Sequence, residues 1–475
     1  MANGKLDPKD WPSFRDAAHK MLDDALDKME TAETARVWTA PTPELIDAMS
    51  QPLPEAGQEI AAIGEQLTDL LPFGPGNTHP RFWGWVHGSG TPAGLLPAIA
   101  MAAMNANLGG RDTGAIHVEK QVLDWSKAMM GFPQDASGLL VSGTSMATVI
   151  AMKTARDAML GVKTRKTGLG SHSLVAYTSA QTHSCVARAF DIIGLGADTL
   201  RLVPCTDDYT IDLGALRKMI ADDLAAGRSP FALIGTAGAV NVGAIDDLDA
   251  LADIARAHDM WYHVDAAIGG AAMLSDGLRP RFKGLERADS VAFDFHKWLQ
   301  VNYDAGCVLI RDADAHYASF NERPAYLAQS ARGLSGGDFW PVDYGPELSR
   351  DFRALKVWAH LSHFGTKALG AAVDDNHRQA KLLGQLVDEA PGLQLMAPVA
   401  LNIVCFRATG QGDLDKLNNE IVWEMQESGF AVPSTTVLNG QTAIRINLTN
   451  HRTRDRDLRA LVVMVQELAE KLTAA

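Results

Sequence analysis

Residues 294–298 read Asp-Phe-His-Lys-Trp and directly follow the apolar run Ser290 to Phe293. The apolar run predicts a buried strand, so Lys297 lies just beyond the carboxyl end of that strand, between aromatic neighbours. Partial desolvation at such a place would lower the pKa of a lysine toward neutrality and make its amine a nucleophile for a carbonyl group. Taken alone, the same residues also suit a surface lysine at a strand end.

A second strand end lies upstream, where residues 263–267 read His-Val-Asp-Ala-Ala. Asp265 ends the apolar run, and the small residues after it leave room for a planar group. A carboxylate at this position can keep the ring nitrogen of a bound pyridine protonated, although an aspartate that caps a helix would look the same. An amine and a carboxylate at two strand ends are together the groups needed to bind pyridoxal phosphate.

A third motif, residues 141–145, reads Val-Ser-Gly-Thr-Ser and precedes a helical pattern. A strand, a glycine turn, two hydroxyl side chains and a helix N-terminus together favour an anion site, because the first N–H groups of a helix have no partner within it. The motif lacks the lysine and the spacing of a nucleotide-binding P-loop. Serine and threonine also cap helices that bind nothing.

Short apolar runs alternate with amphipathic stretches from about Gly138 to Arg311. The predicted strands are Leu139 to Val141, Leu174 to Tyr177, Leu200 to Val203, Ala232 to Ile234, Trp261 to Val264, Ser290 to Phe293 and Cys307 to Ile310. The predicted helices between them are Thr144 to Leu160, Ser184 to Ile193, Leu213 to Ala226 and Leu248 to His258. This alternation predicts an α/β fold with a mostly parallel central sheet flanked by helices and ligands beyond the carboxyl ends of the strands.

The flanking parts of the chain have other patterns. The apolar spacing of residues 14–29 and 56–71 predicts amphipathic helices. Residues 72–90 combine Gly, Pro, aromatic and His residues, which favours a pocket-forming loop over a linker. The pattern after residue 354 predicts long helices over 354–364 and 368–389, then a strand–helix–strand alternation over 401–448 and a final helix over 455–472. We therefore predict an N-terminal helical arm and pocket loop (1–90), a large domain (91–355) and a small α+β domain (356–475).

Composition excludes several classes of protein. The 475 residues include 43 Lys+Arg and 57 Asp+Glu, a formal charge of −14, so the chain offers no broad positive field to nucleic acid or an anionic membrane. The four cysteines stand far apart with no CxxC, which argues against a zinc or other metal site and a disulfide framework. The N-terminal residues lack a signal-peptide pattern, so we expect a cytoplasmic protein.

The motifs around Asp265 and Lys297, in this order and at this spacing, resemble the group II pyridoxal-phosphate-dependent amino-acid decarboxylases. That family includes aromatic-L-amino-acid, histidine and glutamate decarboxylases, and the resemblance runs from His79-Pro80 to residues 352–358. It implies the fold-type-I, aspartate-aminotransferase-like architecture, with pyridoxal 5′-phosphate as the cofactor. It also implies a homodimer with shared active sites.

The resemblance extends to individual residues. Lys297 is similar to the lysine that forms the internal aldimine, Asp265 to the partner of the pyridine nitrogen, and His183 to the histidine that stacks on the ring. The implied cofactor-binding residues are Gly143, Thr144, Ser145, His183, Asp265, Asp294, His296, Lys297 and Asn302. The implied pocket for the substrate side chain is formed by Trp85, Val86, His87 and Gly88.

The implied reaction is decarboxylation of an L-amino acid to an amine and CO2. An aromatic or otherwise uncharged side chain is favoured, because the pocket stretch contains no arginine cluster for a second carboxylate. A non-catalytic relative is a further alternative, but retention of Lys297, Asp265 and His183 together argues against it.

One departure from the family leaves the product open. Residues 332–340 fall where relatives have a mobile loop with a tyrosine that protonates the substrate carbanion, and this chain has Phe339 there. Loss of that phenol implies an oxygen-consuming aldehyde synthase as the alternative. Tyr326 or Tyr344 could still supply the proton.

Overall fold

The computed structural model describes residues 6–322 and 328–474, which contain two sheets and the helices around them. The strands of the larger sheet are β1 (Ser137–Val141), β2 (Leu174–Ser179), β3 (Leu200–Val203), β4 (Ser229–Thr236), β5 (Trp261–Asp265), β6 (Ser290–Asp294) and β7 (Gly306–Ile310). Those of the smaller sheet are β8 (Leu393–Leu395), β9 (Ile403–Ala408), β10 (Ser434–Leu438) and β11 (Gln441–Asn447).

The helices fall before, between and after these strands. Those that precede β4 are α1 (Trp11–Glu30), α2 (Pro43–Ala48), α3 (Ile60–Leu70), α4 (Leu95–Met104), α5 (Gly114–Met130), α6 (Thr144–Leu160), α7 (Thr164–Thr167), α8 (Cys185–Ile192) and α9 (Leu213–Ala225). Those that follow it are α10 (Leu248–Ala257), α11 (Ala313–Phe320), α12 (Arg353–Glu389), α13 (Leu414–Ser428) and α14 (Asp455–Ala474). Within the described residues, none of them is both long and apolar enough to cross a membrane.

The larger sheet has the strand order β1-β7-β6-β5-β4-β2-β3. Strand β7 runs antiparallel to both of its neighbours, and the other neighbouring pairs are parallel. The predicted α/β fold with a mostly parallel sheet is therefore confirmed. All seven predicted strands are present, and α6, α8, α9 and α10 lie where the four helices were expected.

Burial on both faces explains the near-continuous apolar runs of these strands. Every residue of β2, β6 and β7 is buried. Side chains of α5, α9 and α10 form one apolar cluster with the sheet, and side chains of α6 and α8 form another on the opposite side. Parallel sheets covered by helices on both faces give this pattern instead of alternating polar and apolar residues.

Aspartates mark the start of several helices. The carboxylates of Asp212, Asp247 and Asp413 accept backbone N–H groups in the first turns of α9, α10 and α13. These bonds satisfy N–H groups that have no partner within the helix. Each aspartate therefore fixes the residue at which its helix begins.

The smaller sheet has the order β10-β11-β9-β8, and α13 and α14 pack against it. Helix α12 precedes this sheet and is interrupted at Gly365, which has a φ of 71°, between the two helices predicted for residues 354–364 and 368–389. The domain boundary expected between residues 355 and 356 falls inside α12. The division of the chain into three parts stays a prediction.

Candidate active site

A cavity of about 540 Å³ opens beyond the carboxyl ends of the parallel strands. The residues from the predicted site that line it are Trp85, Val86, His87, Gly143, Thr144, Ser145, His183, Asp265, Asp294, His296 and Lys297. Strands β5 and β6 are neighbours, so Asp265 and the Asp294–Lys297 turn emerge side by side. The topology thus brings together residues that lie far apart in the sequence.

Lys297 forms an ion pair with Asp294, with 2.7 Å between Nζ and Oδ2. Burial by itself lowers the pKa of Lys297, but attraction to Asp294 and Asp265 outweighs it and raises the pKa above its ordinary value. The prediction of a lowered pKa was wrong, because it considered the aromatic neighbours and not the carboxylates. The amine becomes nucleophilic only after it loses a proton and leaves Asp294.

Asp294 also joins the lysine to the start of α6. Its Oδ1 accepts the backbone N–H of Thr144 at 2.8 Å. The neighbouring backbone of Gly306 lies so close that a Cβ there would stand 2.5 Å from the Cα of Gly143 and 2.7 Å from Asp294 Oδ1. The glycine at the start of β7 is therefore required for this close approach.

Asp265 and His183 line another part of the cavity. Asp265 is buried, and its Oδ1 accepts the N–H of Ala267 at 3.0 Å. Burial raises the pKa of this carboxyl group, while the Ala267 N–H, Lys297 and His183 act in the opposite direction. The Nδ1 of His183 accepts the N–H of Cys185 at 3.1 Å, while the ring itself is exposed. An exposed ring near a buried carboxylate suits the binding of a planar cationic ring.

Residues 85–88 lie against the backbone of Lys297. A Cβ on Gly88 would stand 2.3 Å from the carbonyl oxygen of His296 and 2.5 Å from that of Lys297, so only glycine permits this contact. Gly88 itself lies behind the cavity wall and does not line it. Trp85 is 57% exposed, and together with Val86 and His87 it forms the side of the cavity next to the lysine.

Several cavity residues escaped sequence analysis. Arg445 of β11 is buried and donates to the carbonyl oxygens of Val240, Asn241 and Trp85. Burial lowers its pKa to about 10. The signal available was a single arginine within the apolar run of β11. Thr236 also lines the cavity, and its position at the end of a predicted strand could have identified it.

Besides Gly88, two further residues of the predicted site do not line the cavity. Asn302 does not line the cavity; its Oδ1 accepts the N–H of Thr91 at 3.2 Å, and its side chain fills the space beside Gly94. Phe339 packs against Tyr344, with 5.4 Å between ring centroids, and is outside the cavity of its own chain. Tyr344 does not line the cavity either, and Tyr326 lies outside the described residues.

The cavity contains hydrogen-bonding groups that suit a phosphorylated pyridine aldehyde. The buried hydroxyls of Thr144 and Thr236 have no hydrogen-bond partner in the described part of the chain, which fits donors intended for a ligand. The N-terminus of α6, the amine of Lys297 and the carboxylate of Asp265 supply the other contacts that pyridoxal phosphate needs. This sheet and site define the class of fold-type-I pyridoxal-phosphate-dependent enzymes.

Comparisons with known proteins identify the family. The family model described as pyridoxal-dependent decarboxylase conserved domain matches residues 48–409. An aromatic-L-amino-acid decarboxylase of Bacillus atrophaeus is 33% identical over 83% of this chain and 82% of its own length. A phenylacetaldehyde synthase of Arabidopsis thaliana is 28% identical over 99% of both chains.

Among solved structures, the crystal structure of Oryza sativa TDC with PLP and tryptamine superimposes with a TM-score of 0.90 and 25% identity, over 98% of this chain and all of that chain. The chain belongs to the pyridoxal-dependent decarboxylase family, as the resemblance implied. It is a pyridoxal-phosphate-dependent enzyme of the amino-acid decarboxylase class.

Proposed function

We propose that this chain releases CO2 from an aromatic or otherwise uncharged L-amino acid and yields the corresponding amine. The observation that carries the proposal is the meeting of Lys297, Asp265 and His183 in one cavity. A protein that used this fold only for binding would have no chemical need for all three side chains. The decarboxylases among the relatives support the same reaction.

Each residue has a distinct task in this proposal. Lys297 would hold the cofactor through its aldehyde group. Asp265 would keep the ring nitrogen of the cofactor protonated, and His183 would pack against the ring. Gly143, Thr144, Ser145 and His296 would bind the phosphate, while Asp294 holds the start of α6 in place. When bound, pyridoxal phosphate supplies the ring that accepts the electron pair left at Cα as CO2 departs.

The preference for an uncharged side chain follows from the pocket. Trp85 and Val86 offer apolar surface, and most donors of Arg445 are already used by backbone carbonyls and Ser434. A second carboxylate in the substrate would therefore lose its hydration without forming an ion pair with Arg445 in return, which is unfavourable. The fold does not choose which bond at Cα breaks, so the reaction itself must be measured.

The test follows four quantities together for purified protein with pyridoxal phosphate and a panel of L-amino acids. These are CO2, amine, O2 consumption and hydrogen peroxide. We expect CO2 and amine in equal amounts, without O2 uptake, from at least one aromatic amino acid. Absence of CO2 from every member of the panel would contradict the proposal.

Phe339 favours a second candidate, oxidative conversion to an aldehyde. In this reaction the amino acid, O2 and water give aldehyde, CO2, ammonia and hydrogen peroxide, because O2 removes two electrons from the unprotonated Cα. The similarity to a phenylacetaldehyde synthase is compatible with this reaction. Uptake of O2 with peroxide and aldehyde in the same assay would establish it in place of amine formation.

The substitution Phe339→Tyr is expected to raise the ratio of amine to aldehyde, because a phenol at this position would protonate Cα before O2 reacts. The ratio is measured by chromatography of both products from one reaction. Phe320→Tyr serves as the matched control, since Phe320 is also partly buried and lies outside the cavity. An unchanged ratio in Phe339→Tyr would show that this residue does not decide the product.

We also propose a homodimer, in which residues of a second copy complete the cavity. Helices α1 and α3 pack on each other, but neither has a buried residue. Helix α4 is almost wholly apolar, yet Leu96 is 73% exposed and Ile99 is 50% exposed. Apolar surface of this kind is typical of an interface. A second copy would also explain how Phe339 reaches a cavity that it does not line in its own chain.

Light scattering tests the dimer through the molar mass in solution. We expect the mass of two chains for the wild type and of one chain for the double variant Leu96→Asp/Ile99→Asp, because buried unpaired charges oppose association. Leu224→Asp is the control, since Leu224 is an exposed leucine on α9. A single-chain mass for the wild type would contradict the dimer.

A further inference from the structure

We propose that the imidazole of His87 makes the pocket select aromatic amino acids with a hydrogen-bonding group on the ring, a phenol hydroxyl or an indole N–H, over phenylalanine. The inference rests on the proposed decarboxylation in this cavity and narrows its substrate class. His87 acts as a residue that determines specificity and takes no part in breaking the bond to CO2.

The position of His87 places a polar group among aromatic walls. Its ring centroid lies 5.5 Å from that of Phe82, 6.1 Å from Trp85 and 5.9 Å from Tyr303. The side chain lines the same cavity as Lys297. The backbone is held as well, because the hydroxyl of Thr449 donates to the carbonyl oxygen of His87 at 2.7 Å. Phe82 and Tyr303 hold the imidazole from outside the cavity, so a substrate near Lys297 would meet a wall formed by Trp85, Val86 and His87.

The ring nitrogens of His87 differ from those of the other cavity histidines. Nδ1 of His183 and Nδ1 of His296 each accept a backbone N–H, at 3.1 Å and 3.0 Å. No residue in 6–322 or 328–474 makes a hydrogen bond to either ring nitrogen of His87. Burial lowers the pKa of His87, and repulsion from His296 and Lys297 lowers it further. The neutral imidazole offers one donor and one acceptor.

These two unpaired nitrogens discriminate between rings of similar size. A phenol hydroxyl can donate to one nitrogen or accept from the other, and an indole N–H can donate. A phenylalanine ring has no hydrogen-bond donor or acceptor. It would shield the imidazole of His87 from water and leave its nitrogens without a hydrogen-bond partner, which is unfavourable. Sites built to hydrogen-bond a substrate reject analogues that lack the matching group for this reason. Trp85, which is 57% exposed, and Val86 line the cavity and provide apolar area for the rest of the ring.

The experiment compares kcat/KM for L-tyrosine, L-tryptophan and L-phenylalanine in the wild type, His87→Leu and His87→Gln. We expect the wild type to prefer tyrosine over phenylalanine by about tenfold, the effect of one hydrogen bond. In His87→Leu the ratio falls toward one, mainly through a higher KM for tyrosine. His87→Gln, which can still hydrogen-bond, retains part of the preference. His117→Leu is the control, since His117 is exposed and outside the cavity.

A binding measurement without turnover gives a second readout. Calorimetry compares 3-(4-hydroxyphenyl)propanoate with 3-phenylpropanoate on the wild-type enzyme loaded with pyridoxal phosphate, and the hydroxylated acid is expected to bind about tenfold more tightly. Equal binding of the two acids, or the same tyrosine-to-phenylalanine ratio in wild type and His87→Leu, overturns the role of His87 while CO2 release still supports decarboxylation. If no amino acid releases CO2, the proposed function fails and the inference fails with it.

Discussion

Replacement of Lys297 by alanine is expected to lower the rate of CO2 release by at least about a thousandfold, because the residue that binds the cofactor aldehyde is gone. The visible absorbance band that a lysine-bound pyridoxal phosphate gives should disappear in the same variant. Both effects follow from one amine, which lies beside Asp294 at a strand end. The measurements are an absorbance spectrum after removal of free cofactor and a CO2 assay with the best amino acid of the panel.

Two controls separate loss of chemistry from loss of structure. Lys283→Ala removes an exposed lysine that pairs with Asp249 on the surface, and it should retain both the band and the activity. Lys297→Arg keeps a cation beside Asp294, so its melting temperature should stay near that of the wild type while its activity is lost. A normal absorbance band together with full turnover in Lys297→Ala would show that the site is assigned to the wrong residue.

The substitution Asp265→Asn is expected to lower kcat by about a hundred- to a thousandfold, the range seen when one preorganised electrostatic contact is removed. Asparagine has nearly the same shape, and its oxygen can still accept the N–H of Ala267. It carries no charge, however, and so it cannot hold a proton on the ring nitrogen. The cofactor band should persist, because Lys297 is unchanged, and this distinguishes Asp265→Asn from Lys297→Ala.

A matched control for this variant is Asp289→Asn. Asp289 accepts the N–H of Tyr262 at 2.8 Å, and burial raises the pKa of its carboxyl group as it does for Asp265, but Asp289 does not line the cavity. Its substitution should leave kcat within a few-fold of the wild type. Equal kcat values for Asp265→Asn and the wild type would contradict the role given to this carboxylate.

The strands of the larger sheet and its mostly parallel character could be predicted, because short apolar runs alternate with amphipathic helices in the sequence. Residues at the carboxyl ends of parallel strands meet at one edge of the sheet, so the amino-acid sequence alone was enough to assign Asp265 and Lys297 to one site. The glycine turn at Gly143 was predictable for the same reason, as it follows β1 and begins α6.

Other features depend on contacts that no local pattern records. The predicted lowering of the Lys297 pKa was wrong, because the carboxylate of Asp294 pairs with the ammonium group and raises the pKa. Only the folded structure shows this contact. Arg445 lies far along the chain and reaches the cavity from the smaller sheet. Asn302 follows the lysine closely, yet its side chain turns away to the residues around Gly94. Proximity in sequence did not predict proximity in the site.

The most direct test of the central claim locates the cofactor on the chain. The purified enzyme is loaded with pyridoxal phosphate, reduced with borohydride to trap any lysine bound to the cofactor, and digested for peptide mass spectrometry. The account predicts that the added mass lies on the peptide with Lys297, at close to one cofactor per chain, and is absent from Lys297→Ala. A trapped cofactor on another lysine, or none at all in an enzyme that releases CO2, would contradict it.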